Sequence, residues 1–190
     1  ATPQDYIIYV HPIPNINSSL TGEICSGTQY SYTITSDVSG STFSWSRPAV
    51  AGIFNPPASG IGSTINETLN NIAGSPVLVP YILTPTGPAP ASCLGIPDTL
   101  WVTVWPLPTA NAGSDATIPC GTSCTLNGSA SGGTGSLSYN WTPAILIASG
   151  GTTLTPTTVN LTSSNVFTLA VTDSKGCTKT DVVQVNITGL

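Results

Sequence analysis

An alternating strand that stops at Pro-x-Pro occurs twice in the chain and divides it. Residues 100–108 read Leu-Trp-Val-Thr-Val-Trp-Pro-Leu-Pro, and residues 6–14 read Tyr-Ile-Ile-Tyr-Val-His-Pro-Ile-Pro. Residues 182–188 repeat the strand without the prolines. Because proline cannot donate a ladder hydrogen bond, each Pro-x-Pro is expected to close a sheet and to act as a stiff, extended spacer. These three strand endings predict two tandem modules, residues 13–108 and 109–190.

Residues 1–12 form a separate segment in this division. Tyr6, Ile8 and Val10 fall on one face of an extended chain, and Ile7 and Tyr9 fall on the other. A strand that is apolar on both faces is expected to be buried in a sheet. Two interpretations remain open: the strand begins the first module, or, as we favour, it is the final-type strand of a preceding or partner module.

Short alternating stretches separated by turns every 8–12 residues fill both modules, without helical periodicity. This pattern predicts an all-β chain of two antiparallel sandwiches. The predicted strands of the first module are 14–24, 30–35, 42–46, 64–69, 77–84 and the seam strand that ends at residue 105. Those of the second are 116–118, 125–129, 137–142, 158–162, 166–172 and the final strand. Trp45 and Trp141 each fall on the third strand of a module and are the candidate core tryptophans.

The charge content excludes several classes of partner. Only 6% of the residues are charged, the net charge is −5, and three residues carry fixed positive charge. Nothing is available to neutralise a phosphate backbone, so nucleic acid is excluded as a partner. The apolar runs are too short for membrane insertion, which needs about 20 residues. Five cysteines without Cys-x-x-Cys spacing favour an oxidising, extracellular location.

No arrangement of residues predicts catalysis, a metal centre or a cofactor. His11 is the only histidine, and its place before Pro12 in a strand ending favours a partly buried interface residue over a catalytic one. The acidic residues are scattered, although a calcium ion held by Asp115 or Asp173 at a module junction remains open. We therefore expect a protein without enzymatic activity.

The seam between the modules holds two tryptophans and two prolines. Trp101 and Trp105 alternate on one face of the seam strand, which ends at Pro106 and Pro108. Packing in the core or between modules is the favoured role of both tryptophans. A platform that stacks on a surface polysaccharide or other cell-surface ligand is the alternative.

Several motifs resemble known repeats. The second module resembles a PKD domain through the stretches 111–118, 125–129, 139–143 and 167–177. The first module resembles, through 23–27, 43–47 and 66–70, the larger PKD-like repeat found beside PKD domains in giant adhesins. The style resembles tandem repeats of secreted and cell-surface proteins of gliding Bacteroidota. One departure is that Tyr-Asn-Trp-Thr-Pro at 139–143 replaces the acidic Trp-Asp-Phe-Gly-Asp-Gly turn of typical PKD domains, so no role of that turn is carried over.

The resemblance implies two tandem immunoglobulin-like sandwiches that act as a spacer or an adhesive stalk outside the cell. It also implies an order of strands, from which cysteine pairings follow. In that order Cys177 lies at the opposite end of its own sandwich from Cys120 and Cys124. Stacked modules would instead bring Cys177 close to Cys25, leaving Cys120 and Cys124 to pair locally or one of them to serve a following module. Cys93 would then face the preceding module. A Cys25–Cys93 bridge is an equally open alternative.

A weaker resemblance concerns modification. Asp98, Thr99 and Leu100 together are similar to the acceptor pattern for O-glycosylation in Bacteroidota, which makes Thr99 a candidate glycosylation site.

The functional expectation is a non-enzymatic extracellular structural or adhesive repeat segment that forms a rigid stalk or filament on a bacterial surface. Its partners would be adjacent modules or copies of the same protein. Two alternatives remain open. One is a self-assembling filament subunit in which strand 1–12 adds to a neighbouring copy. The other is a carbohydrate-binding accessory module of a secreted hydrolase.

Overall fold

The computed structural model describes residue 4 and residues 7–189, and within them the fold is almost entirely β-structure. The exception is a single 3-10 turn at Ala144–Leu146. No helix among these residues is long and apolar enough to cross a membrane. The all-β prediction is confirmed.

The chain divides into two compact units, each described by itself below. Unit 1 contains the described residues up to Ile24, together with Thr28–Leu69 and Leu78–Thr103. Unit 2 contains Val104–Leu190 and two stretches from earlier in the chain, Cys25–Gly27 and Asn70–Val77.

Unit 1 is built from seven strands, three of which extend by one or two residues into stretches assigned to unit 2. They are β1 (Thr21–Cys25), β2 (Gln29–Thr33), β3 (Thr42–Arg47), β4 (Ala58–Ile61), β5 (Thr64–Thr68), β6 (Val77–Thr86) and β7 (Asp98–Trp105). One sheet has the order β1-β7-β6-β3-β4, and β2 pairs with β5 in a second, antiparallel sheet. This division of one chain between two sheets is the sandwich arrangement expected from the alternating pattern.

The buried side chains of unit 1 follow the period of two that the sequence shows. Along β6 and β7 every second residue is buried, and the residues between them are exposed or half-buried. The buried residues include Val79, Tyr81, Leu83, Leu100 and Val102, all 0% exposed. Ile65 of β5 is also 0% exposed, which places the core between the two sheets.

Unit 2 contains eight strands and the 3-10 turn. They are β8 (Pro108–Asn111), β9 (Ala116–Pro119), β10 (Ser129–Gly132), β11 (Ser138–Thr142), β12 (Ile147–Ser149), β13 (Thr157–Thr158), β14 (Asn165–Thr172) and β15 (Thr178–Thr188). The main sheet has the order β11-β14-β15-β9, and β8–β10 and β12–β13 form short pairs. β9 runs parallel to β15, with Ala116 opposite Val185.

The core of unit 2 is apolar throughout. It is formed by nine buried residues: Ala112, Leu126, Trp141, Leu161, Phe167, Leu169, Val171, Val183 and Val185. Trp141 lies at its centre, is 1% exposed, and donates its indole N–H to the carbonyl oxygen of Thr153 at 2.9 Å. The large ring is therefore buried with its polar atom satisfied.

The structure differs from the sequence prediction at several strands. β4, β12 and the 3-10 turn were not predicted, and β10 begins at the residue where the predicted strand 125–129 ends. The predicted strand at 14–24 is reduced to β1 and an isolated bridge between Ile16 and Ser36. The three unpredicted elements are short, with four residues in β4 and three each in β12 and the 3-10 turn, which leaves little alternation to detect.

The N-terminal segment is not buried in the part of the chain that the structure describes. Ile7, Ile8, Tyr9 and Val10 are between 76% and 89% exposed, and residues 7–12 have no strand assignment. The interpretation that this stretch begins a sheet of the first module is therefore wrong for residues 7–12. Its pairing with a preceding or partner module stays a prediction, and part of the predicted strand lies outside the described residues.

Candidate functional site: the disulfide cluster

A disulfide joins Cys25 to Cys177 across 152 residues of sequence. The two Cα atoms are 5.5 Å apart, within the usual range for a disulfide. Cys177 is 0% exposed. The predicted Cys25–Cys177 pairing is confirmed, and the alternative Cys25–Cys93 bridge is wrong. In the chain-entropy model, closing a loop of this length contributes about 5 kcal/mol to stability.

Asp173 holds the turn that presents Cys177. Its Oδ1 accepts hydrogen bonds from the backbone N–H groups of Lys175 and Cys177, both at 2.9 Å. Its Oδ2 accepts one from the N–H of Thr134 at 2.8 Å. The side chain is buried, and Gly176 adopts a positive φ of 80° that closes the turn. The carboxylate of Asp173 is thus occupied by backbone donors.

Trp105 supports both halves of the disulfide. Its carbonyl oxygen accepts a hydrogen bond at 2.8 Å from the N–H of Ser26, the residue after Cys25. Its ring lies 4.2 Å from the ammonium nitrogen of Lys175, two residues before Cys177. Such a cation–π contact contributes about 0.5–1 kcal/mol at exposed sites. We call Cys25, Cys177, Asp173, Lys175 and Trp105 the disulfide cluster; all five belong to unit 2.

Hydrogen bonds of Asn71 hold the stretch Asn70–Val77 beside the disulfide cluster. Its side-chain amide donates to the carbonyl oxygens of Ser75 and Val104, each at 2.7 Å. Its backbone N–H donates to the hydroxyl oxygen of Ser26 at 2.9 Å. The residues next to Cys25 are therefore held by hydrogen bonds as well as by the covalent bond.

A second polar cluster, in unit 1, was not predicted from the sequence. Arg47 is only 2% exposed; its Nε donates to Glu67 Oε2 at 2.9 Å, and one terminal nitrogen donates to Oε1 at 3.1 Å. That terminal nitrogen also donates to the carbonyl oxygen of Pro56 at 2.6 Å. Tyr81 donates its hydroxyl to Glu67 Oε2 at 2.7 Å. Both carboxylate oxygens are satisfied, as a buried ion pair requires.

These contacts shift the pKa of all three side chains. Burial by itself would raise the pKa of Glu67, but hydrogen bonds from Arg47 and Tyr81 outweigh it and hold the pKa below its usual range. The hydrogen bond to Glu67 raises the pKa of Arg47 further above its usual value. Burial, reinforced by Glu67, raises the pKa of Tyr81. Each shift favours the charged pair beside a neutral tyrosine.

The alternation of inward and outward residues along β3 indicates where Arg47 of this cluster lies. Phe43 and Trp45 point inward on β3, and a period of two places Arg47 on the same face. Trp45 is half-buried rather than central, and it packs on Tyr81 with the ring centroids 6.0 Å apart. Trp45 thus lies at the margin of the core, unlike Trp141.

The remaining cysteines are free thiols. Cys120 is exposed, whereas Cys93 and Cys124 are half-buried. Cys120 and Cys124 are both free, so the predicted local pairing between them is wrong, and the alternative that one of them serves a following module stays a prediction. Cys124 packs against the core of unit 2. Its sulfur and backbone N–H both contact the hydroxyl of Thr158, at 3.9 and 3.0 Å.

The seam residues behave differently from one another. Trp101 is 43% exposed, so the predicted packing of its ring in the core is wrong for this tryptophan. It occupies the outward face of β7, where alternation exposes it. Pro106 and Pro108, which follow β7, are buried. Thr99, which lies on β7, is half-buried.

His11 and the acidic residues have the following places. His11 is exposed rather than partly buried. Asp115 accepts a hydrogen bond from the N–H of Gln184 at 2.9 Å. Within residue 4 and residues 7–189, no group of three His, Cys, Asp or Glu side chains could hold a metal ion.

Comparison with known proteins identifies both modules. Residues 22–108 match a family model described as a PKD-like domain. Residues 112–187 match a second model, described as a PKD domain. No curated protein matches the chain.

Solved structures were also compared. Extracellular domains 3–5 of Drosophila OTK align at 12% identity with a TM-score of 0.42, covering 92% of this chain and 62% of that one. Drosophila N-cadherin EC1-3 aligns at 9% identity with a TM-score of 0.38, covering 94% and 68%. DIP-gamma IG1+IG2 aligns at 10% identity with a TM-score of 0.38, covering 94% and 99%. At these TM-scores the likenesses carry no argument about function. From the family matches and the all-β structure of each module, the chain consists of two tandem PKD-like, immunoglobulin-like domains.

Proposed function

We propose that this chain is a structural segment of an extracellular rod, a stalk or filament on a bacterial cell surface. Its role is mechanical: it holds its neighbours at a fixed separation and projects an adhesive element away from the cell. Domains of this class serve typically as non-catalytic structural or adhesive modules. The setting would be a surface adhesin of the kind found in gliding Bacteroidota.

The Cys25–Cys177 bond is the observation that supports this proposal most directly. It ties a residue in the first family match, 22–108, to a residue in the second, 112–187. A covalent tie between successive domains suits a protein that must resist extension. It also suits an extracellular site, because disulfides persist in oxidising compartments.

The test is an immunoblot of surface and soluble fractions from the organism that makes the chain, denatured with and without reductant. A surface-exposed band far above 19.3 kDa that survives reduction is expected for a segment of a long rod. A surface ladder that collapses to one band on reduction is expected for a filament of subunits. A single band near 19.3 kDa without reductant, confined to the soluble interior, would overturn the proposal.

A second candidate function is assembly by strand addition. It is favoured by the exposure of Ile7, Ile8, Tyr9 and Val10, since four consecutive apolar residues rarely stay in water without a partner. A synthetic peptide of residues 1–14 should bind the chain lacking those residues, and a peptide with Ile8 and Val10 replaced by Asp should not. Failure of both peptides to bind would remove this candidate.

A third candidate, polysaccharide binding, rests on Trp101. Its ring is exposed on the outward face of β7, whereas the ring of Trp105 is covered by Lys175. Retention on insoluble polysaccharides that Trp101→Ala abolishes and Trp105→Ala leaves unchanged is expected if this surface binds sugar.

A further inference from the structure

We propose that Cys120 of one copy of this chain forms a disulfide with Cys93 of the next, so that copies join head to tail. The inference rests on the proposed function and names the partner: a second copy of the same chain. It starts from the positions of the four cysteines Cys25, Cys93, Cys120 and Cys177 within the two domains.

Cys177 lies in the turn before the last strand of its domain. β14 ends at Thr172, and the next residue, Asp173, donates its backbone N–H to the carbonyl oxygen of Cys177 at 3.1 Å. Thr178, which follows the cysteine, pairs with Thr172 at the start of β15.

Cys93 occupies the same position in the first domain. β6 ends at Thr86, and the next residue, Gly87, donates its N–H to the carbonyl oxygen of Cys93 at 2.8 Å. Leu94, which follows the cysteine, forms a bridge with Thr86. The two turns differ in length but place a cysteine at the same hydrogen-bonded point. We call Cys93 and Cys177 the last-turn cysteines.

Cys25 and Cys120 form the second matching pair. Cys25 ends β1, and the following N–H, of Ser26, bonds to the carbonyl oxygen of Trp105 at the end of the domain's last strand, at 2.8 Å. Cys120 follows β9 directly, and its own N–H bonds to the carbonyl oxygen of Thr188 near the end of β15, at 3.0 Å. We call Cys25 and Cys120 the first-turn cysteines.

The Cys25–Cys177 bond defines a pattern of pairing between successive domains. It joins the first-turn cysteine of one domain to the last-turn cysteine of the domain that follows. The two matching cysteines that remain are free: Cys120, the first-turn cysteine of the second domain, and Cys93, the last-turn cysteine of the first. Applying the pattern once more at Cys120 requires a last-turn cysteine from a following domain. The first domain of a second copy carries one.

Exposed apolar side chains around Cys93 independently indicate a surface that a partner covers. Leu94 and Ile96 are 68% and 74% exposed, and Ile13 is 58% exposed. The segment that holds Ile13 lies beside them, because the carbonyl oxygen of Pro14 approaches Gly95 so closely that no side chain would fit there. Residues 84–97 and 116–130 carry no charged side chain, so neither surface opposes the other electrostatically.

The chemistry is a two-electron oxidation by thiol–disulfide exchange. A low-molecular-weight disulfide such as oxidised glutathione supplies the oxidising equivalent: the Cys120 thiolate attacks it, its S–S bond breaks, and one reduced thiol leaves. The Cys93 thiolate of the next copy then attacks the mixed disulfide, forming the protein S–S bond and releasing the second reduced thiol. The two protons lost by the cysteines are taken up by the two small thiols.

The contact is heterologous, because one copy uses its second domain and the other its first. Such contacts repeat without limit unless their rotation closes a ring, so an open filament is expected.

The experiment uses the full 190-residue chain in a buffer of reduced and oxidised glutathione. Non-reducing electrophoresis should give a ladder of oligomers that reductant collapses. Peptide mapping should find residue 93 linked to residue 120 between differently isotope-labelled copies, with Cys25–Cys177 intact in each. Cys124→Ser is the matched control and should leave the ladder unchanged.

Two variants test the direction of the link. Cys93→Ser and Cys120→Ser should each abolish the ladder, and their mixture should give one heterodimer that grows no further. The presence of Cys25–Cys177 in each variant shows that it has folded. A monomeric product, a Cys120–Cys124 bridge, or links of Cys93 to Cys93 would each overturn the inference. A rod made of one continuous polypeptide would pass the immunoblot test and fail this one, so the two failures are distinguishable.

Discussion

The two units bury different chemistry behind similar strands. Unit 1 holds an ion pair between Arg47 and Glu67, with Tyr81 completing the hydrogen bonds. The apolar core of unit 2 closes around Trp141, whose indole N–H donates to the carbonyl oxygen of Thr153, while the buried carboxylate of Asp173 is held by backbone N–H groups in a turn. The same class of β-domain therefore accepts either a satisfied polar network or an apolar centre. The difference teaches that inward alternation fixes the position of a side chain but not its polarity.

Removing one partner of the ion pair should produce the largest effect. Glu67→Leu leaves the Arg47 guanidinium buried and unpaired, which should destabilise unit 1 by about 3–5 kcal/mol. Denaturant unfolding, with amide hydrogen exchange followed separately in each unit, measures this loss. The double variant Arg47→Met with Glu67→Leu should recover most of it, because it leaves no charge. If the single and the double variant are equally destabilised, the comparison fails.

Acid should destabilise unit 1 through its ion pair. The pKa of Glu67 is lower in the folded chain than in the unfolded one, so its contribution to stability is present above the unfolded value of about 4.3 and is lost as the pH falls through the folded value. Asp37, whose pKa is held down by hydrogen bonds from Asn15, adds to the same trend in unit 1. When the pH is lowered from 7 to 2, the amide hydrogens of unit 1 should lose their protection against exchange. If acid destabilised unit 1 of the Arg47→Met, Glu67→Leu double variant as much as unit 1 of the unchanged chain, the ion pair would not be the source of the acid sensitivity.

A glycine lies under each core tryptophan and allows a matched comparison. A Cβ at Gly128 would come within 2.9 Å of the Trp141 ring and of the Leu154 carbonyl oxygen. A Cβ at Gly60 would come within 2.8 Å of the Trp45 ring. Because Trp141 is buried and hydrogen-bonded, Gly128→Ala should cost about 1–3 kcal/mol. Gly60→Ala should cost less, since half-buried Trp45 can move outward. Thermal unfolding of both variants tests the order, and a larger loss at Gly60 would reverse our view of Trp45.

The smallest effect is expected at the disulfide cluster. Lys175→Met keeps the length of the side chain but removes the charge above Trp105, which should cost about 0.5–1 kcal/mol. The loss should appear as faster exchange of the backbone around residue 26 with little change in unit 1. Lys179→Met serves as the control for a lost positive charge. An equal loss in both variants would remove any special role of the Trp105 contact.

Much of this fold could be predicted from the sequence, for a physical reason. Strands such as β6, β7 and β14 are long and carry apolar residues at every second, buried position, because one face of each packs in a core. β4 and β12 have only four and three residues, too few to show alternation, so their pairing depends on neighbours that the local sequence does not show.

In the candidate site, too, some contacts could be predicted from the sequence and others could not. The Cys25–Cys177 pair could be predicted once a strand order was assumed, because the order fixes the end of the sandwich at which each cysteine lies. The Arg47–Glu67 pair could not be predicted with confidence, since the partners come from different sheets and only tertiary structure brings them together. Trp45 and Trp141 occupy similar sequence positions, yet Trp45 is half-buried and Trp141 is fully buried, a difference that the local sequence does not show.

The disulfide also makes residues 25–177 a closed covalent ring. A protease that cuts once inside the ring turns it into an open chain but releases no fragment, because both cut ends remain attached through the sulfur bridge. Two cuts, or one cut followed by reduction, are needed before material is lost. A protein of this kind can therefore be nicked at an exposed loop in the extracellular space and remain in one piece.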